Sequence, residues 1–169
     1  MDVLMIVLRL LHIASGIFWA GTAFFIVSFL QPAVSASGPE GGKVMQQLAR
    51  SRFTTTITVA GTLTVLSGLL MYWRDSGFQL AWIVSATGLT FTIGGLAGLG
   101  GLSVALFVSR PAIRRVAELS KLVVASGGPP SPAQMAEIQA LQARMTRGGR
   151  WLAVLLGIAV VAMAIARYM

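Results

Sequence analysis

The sequence predicts an all-α fold: an integral membrane four-helix bundle with an amphipathic helical hairpin on its cytoplasmic side. Three observations predict it. Of 169 residues, 56% are hydrophobic and 11% charged, where soluble domains are charged at roughly a quarter of positions. Mean hydropathy is +0.80. The apolar residues fall in four blocks, each long enough to cross a hydrocarbon core of about 30 Å at about 1.5 Å per residue. Between the blocks, Lys and Arg gather in two of the three connections. The whole chain reads as one domain.

The first span covers about residues 3–30. It is preceded by Asp2 rather than a basic segment, and its apolar stretch exceeds a signal-peptide core, so it reads as a span and not as a cleaved leader. "SGPEGG", residues 37–42, reads as a turn, and "KVMQQLARSRF" as helical turns leading into a second span at about 54–73. A short connection carries Arg74 balanced by Asp75. The third span, about 81–108, contains "GGLAGLGGLSVA".

A hairpin follows at about 111–147. Ile113, Val116, Leu119 and Val123 form one apolar stripe, and Met135, Ile138, Leu141 and Met145 a second. "GGPPSP" separates them. Ser131 with Gln134 makes a capping box with Pro132 at the first helical position, and Gly148-Gly149 is expected to end that helix. The hairpin rests on headgroups or packs on itself, with docking of a partner helix as the functional alternative. The fourth span covers about 151–168. Trp73, Trp82, Trp151 and Tyr168 fall at span ends, where amphipathic rings prefer the membrane interface.

Orientation follows from charge. Lys43, Arg50 and Arg52 occupy the first connection, and Arg110, Arg114, Arg115, Lys121, Arg144, Arg147 and Arg150 the third. Positive residues stay cytoplasmic, which puts both termini and the short middle connection outside. The net charge of +8 is then addressed to anionic headgroups of the bilayer, and nucleic acid is not an expected partner. Absence of cysteine excludes disulfides and thiolate chemistry.

Small residues mark expected helix contacts: Gly94 with Gly98, and Gly101 with Ala97, in the third span; Gly61 and Gly68 in the second; Gly157 in the fourth. They serve packing within the bundle, self-association, or room for a flat cofactor. In the first span Arg9, His12, Gly16 and Trp19 share one side of a helix. An ionisable residue at membrane depth is a functional candidate by default. His12 has three readings: a structural histidine bonded to a neighbouring helix; a ligand of haem b, with Arg9 near a propionate and Gly16 giving the ring room; or a copper ligand beside Met1, Met5, Met71, Met163 and Met169, which all fall on the outer side. The acids Asp2, Glu40, Asp75, Glu118 and Glu137 form no pair placed for acid–base work, so no catalytic residue is assigned.

Four stretches, "LRLLHIASGIFWAG", "GPEGGKVM", "LSGLLMYWRDSG" and "GGPPSPAQ", resemble an uncharacterised group of small bacterial four-span proteins over nearly the whole chain. In the first helix, Leu11, His12, Trp19 and Gly21 are also similar to the copper resistance protein D family and to the membrane protoporphyrinogen oxidase family. The resemblance implies a four-helix bundle in a bacterial inner membrane and a haem or porphyrin role for His12. Three function classes follow. The first is a structural or accessory subunit of a membrane assembly, a redox assembly among the candidates, or of a homo-oligomer. The second is a haem-b or porphyrin binder, and the third a small oligomeric transporter or channel.

Overall fold

A computed structural model describes residues 2–169, with the side chains of Pro39 and Arg50 outside the described set. Met1, named in the copper reading, and the Arg50 side chain of the first basic connection therefore lie outside the described residues. The described residues form six helical elements: α1 (Val3–Ala36), α2 (Gly38–Arg50), α3 (Phe53–Ser76), α4 (Leu80–Ile83), α5 (Ala86–Ser126) and α6 (Pro132–Tyr168). The described residues contain no strand. Helices α1, α3, α5 and α6 are long and apolar enough to cross a membrane, and the chain is a multi-pass membrane protein with an all-α bundle. Helix α1 lies along α3 and α5 along α6, and weaker contacts of α3 with α5 and of α1 with α6 complete the bundle.

The first and third spanning helices run on past the apolar block. Each passes through a π-turn, Ile26–Leu30 and Val104–Ser109, two residues before a proline, Pro32 and Pro111. A proline inside a helix lacks an N–H and crowds the carbonyl four residues back. The wider turn takes up that crowding: the Gln31 and Arg110 amides donate to the carbonyls of Ile26 and Ala105, five residues back. The carbonyl orphaned by Pro111 is that of Phe107, and Arg144 Nη2 of α6 donates to it at 3.4 Å.

Several boundaries differ from the sequence reading, each for a local reason. The turn expected over residues 37–42 narrows to Ser37 and Gly38, where Gly38 takes φ +57° and α2 starts at once with Pro39 in its first turn. The third span begins at Ala86 and not near residue 81. Ser85 accepts from the Gly88 amide at 3.0 Å and caps α5, while residues 80–83 make a separate turn of helix. Gly88 is obligatory there, because a Cβ would run into the carbonyl of Trp82. Gly148 and Gly149 do not end a helix: α6 continues through them. They lie where α6 meets its neighbours, Gly148 against Val108 of α5 and Gly149 against Val27 of α1. Close approach, not termination, explains the pair.

The hairpin is thus a coaxial extension of α5 and α6 that packs on itself. Ala112 and Leu119 are buried in it. Arg115 Nε and Nη2 donate to the two carboxylate oxygens of Glu137 at 2.6 and 3.3 Å, and Nη1 donates to Glu118 at 3.4 Å. The capping box of Ser131 and Gln134 forms as expected. Arg74 pairs with Asp2 across the opposite end of the bundle, not with its neighbour Asp75.

The core sits nearer the basic end. Trp19, 2% exposed, packs with Ala20, Ala23, Ala60 and Leu156. Gly61 makes that possible: a Cβ there would lie 2.8 Å from Trp19 Cε2. Gly101 receives Leu152, Leu156 and the far edge of Trp19, and Gly94 receives Met163 and Ala162. Gly157 makes ordinary contact with Phe24 at 3.8 Å. Gly98 is the exception among the expected packing glycines, with nothing within 4 Å of its Cβ position. Helix α6 crosses α5 along Gly94, Ala97 and Gly101, with Leu155 against Gly100. Gly98 lies roughly a quarter turn from the middle of that seam at 3.6 residues per turn.

Candidate functional site

Four polar residues, His12, Ser15, Thr64 and Ser67, meet at the seam between α1 and α3, on the side of Trp19 away from the basic connections. His12 Nδ1 lies 2.8 Å from the carbonyl oxygen of Thr64. A carbonyl only accepts, so Nδ1 carries the proton and donates, which in a neutral ring leaves Nε2 with the lone pair. The Ser67 hydroxyl, 2% exposed as a residue, donates to the Leu63 carbonyl at 2.6 Å and stands 3.4 Å from His12 Nδ1. The Thr64 hydroxyl donates to Ser15 Oγ at 2.8 Å, and Ser15 donates on to the Leu11 carbonyl at 2.6 Å.

Glycine permits this arrangement. A Cβ at Gly68 would lie 2.9 Å from His12 Cε1, and one at Gly16 would lie 3.4 Å from the Thr64 methyl. The helices approach at small residues, and the approach brings a side-chain N–H of α1 within reach of a backbone carbonyl of α3. Interhelical hydrogen bonds of this kind contribute on average about 0.6 kcal/mol in membranes, up to about 1.7. Their absence would leave a polar group in hydrocarbon, which is costly.

Three of the four residues placed together from the sequence lie against α3: His12 meets Gly68, Gly16 meets Thr64 and Trp19 meets Gly61, with Trp19 also at the centre of the core. Arg9 is exposed on α1 and takes part in no salt bridge among the described residues. The group does not frame a slot for a porphyrin. The space beside Gly16 is taken by Thr64, the ring edge of His12 by Gly68, and Trp19 is seated against Gly61. Of the methionines in the copper reading, Met163 lies against Gly94 of α5.

A second polar contact lies at the same end. Tyr72 Oη and Thr92 Oγ1 are 2.7 Å apart across α3 and α5. Trp82 meets Tyr72 edge-on at 5.3 Å and stacks near Phe91 at 6.3 Å. Trp82 thereby helps close this end of the bundle. Trp73 and Tyr168 are exposed near helix ends, and Trp151 is exposed within α6 where its apolar stretch begins. Sequence reasoning missed Thr64 as the acceptor, because the contact uses its backbone and no side-chain pattern marks a backbone carbonyl.

Compared with protein-family models, with curated proteins and with solved structures, the chain has no match.

Proposed function

We propose that this chain is a non-catalytic accessory subunit of a membrane assembly, inserted in a bacterial inner membrane with its basic connections in the cytoplasm and both termini outside. One observation carries the reading: the polar groups His12, Ser15, Thr64, Tyr72 and Thr92 in the spans bond to one another and to backbone across helix seams, with Ser67 beside the His12 ring. They hold helices together. The charge asymmetry supports the orientation. The hairpin, tied by Arg115 to Glu137, extends α5 and α6 away from the apolar block as a rigid pair. The resemblance of the first helix to two families with haem or copper associations is compatible with service in a redox assembly, with His12 as a structural element of it.

The test is extraction from the native membrane in mild detergent, followed by native mass measurement and a visible spectrum. The expected result is a complex heavier than the 17.8 kDa chain, containing a second polypeptide in fixed ratio, with any Soret band unchanged by His12→Ala. A lone chain with a Soret band that His12→Ala abolishes would establish the haem-binder reading instead. A homo-oligomer that conducts ions in liposomes would establish the channel reading.

A further inference from the structure

Where α5 leaves the apolar block, a shallow groove is lined by Leu106, Phe107, Arg110, Arg114, Arg115 and Glu118, with Pro111 at its middle. Arg115 there is held by two carboxylates, Glu118 and Glu137. Arg110 and Arg114 are exposed and have no acidic partner among the described residues. Phe107, one turn before Arg110, is 71% exposed. At about 1.5 Å per residue, Arg110 stands about 4.5 Å and Arg114 about 10 Å beyond Phe107 along the helix. The headgroup layer on each face of a bilayer is about 5–7 Å deep beyond the hydrocarbon. An apolar ring at the end of the hydrocarbon with two uncompensated guanidiniums above it matches the end-on profile of a phospholipid, acyl chain below and phosphate above. A second groove of the same build lies on α6, where Arg147 and Arg150 stand beside Trp151 and Val154.

We infer that the Phe107–Arg110–Arg114 groove is a binding site for an anionic diacyl phospholipid. The two arginines take the phosphate through charge-assisted hydrogen bonds, and Leu106 and Phe107 take an acyl chain. The negative headgroup is required because two positive charges share the groove without a counter-charge of their own. The site depends on the chain spanning a membrane and not on its role in an assembly.

The protein is reconstituted into nanodiscs of phosphatidylcholine with an equal share of phosphatidylglycerol, released, and its retained lipids weighed by native mass spectrometry. At the free energy typical of a Lys or Arg near a lipid surface, two such contacts correspond to a preference for phosphatidylglycerol of roughly ten- to thirtyfold. Arg110→Gln with Arg114→Gln should remove most of it. Arg52→Gln with Lys121→Gln, an equal loss of charge elsewhere, should leave it within about twofold, since these contacts act locally. Equal retention of the two lipids by the wild-type chain overturns the proposal without recourse to any variant. So does an equal fall in both double variants, which would mark a general charge effect. Displacement of retained phosphatidylglycerol by millimolar inorganic phosphate also overturns it, because a free-anion site needs no acyl contact.

Discussion

A methyl group at Gly68 would press on His12 at 2.9 Å, so the ring must shift from the position in which it bonds the Thr64 carbonyl. Gly68→Ala and His12→Ala therefore damage the same contact. Each should lower stability in detergent by about 1–2 kcal/mol, and the double variant should lose clearly less than the sum. Additive losses in chemical or thermal melts would mean that ring and glycine act independently. Thr64→Val keeps the carbonyl and should cost less than His12→Ala. In α5, Gly101→Leu drives a side chain into Leu152, Leu156 and Trp19, whereas Gly98→Leu meets open space. The first should melt lower by several degrees, since a loss of about 1 kcal/mol moves the midpoint of a protein this size by about 2–4 °C, and the second should melt like the wild type. The wheel of α1 already put His12 and Gly16 on one inward side. Which glycines of α5 meet α6 was not legible, because spacing shows small residues without showing the crossing line.

At the scale of elements, the prolines explain what periodicity alone missed. The sequence reading stopped the first and third spans near residues 30 and 108, where charges and prolines begin. The π-turns carry both helices through, and at Pro111 Arg144 supplies a donor to the stranded Phe107 carbonyl. Arg144→Gln should therefore destabilise the wild-type chain more than it destabilises Pro111→Ala, in which the residue-111 amide is restored to serve that carbonyl. Equal effects in parallel melts would remove Arg144 from this role. The capping box at Ser131 was legible because its two side chains lie three residues apart. The Arg115–Glu137 bridge was not, being 22 residues apart in sequence. The hydrogen bonds from Arg115 hold the Glu137 carboxyl below its ordinary value. A depressed carboxylate stabilises the folded form above its unfolded value and loses that contribution as pH falls through the lowered one. Spin labels on the two hairpin arms should thus keep their separation from about pH 8 to 5 and part only below the ordinary glutamate range, near 4.3. Glu137→Gln should show the wide separation at every pH, matching the wild type only at the acid end. Because the pair is solvent-exposed, high salt should weaken it too.

For the molecule as a whole, four apolar blocks and two basic connections were enough to predict the bundle, because the cost of unsatisfied backbone in hydrocarbon leaves helices as the outcome for such blocks. The proposed orientation has its own check: Gln79→Cys, in the middle connection, should react with an impermeant thiol reagent in intact cells, and Ser126→Cys, at the hairpin tip, should not. Labelling in the opposite sense would invert the topology. The functional account turns on what the single imidazole does, and the chain's one histidine makes that directly observable. Nitrogen-15 labelling of histidine in protein purified from its native membrane gives the signals of one ring. The account predicts a diamagnetic imidazole with a proton on Nδ1, hydrogen-bonded to a carbonyl. A ring protonated on Nε2 with Nδ1 bare, or signals shifted by a bound iron or copper, would contradict it.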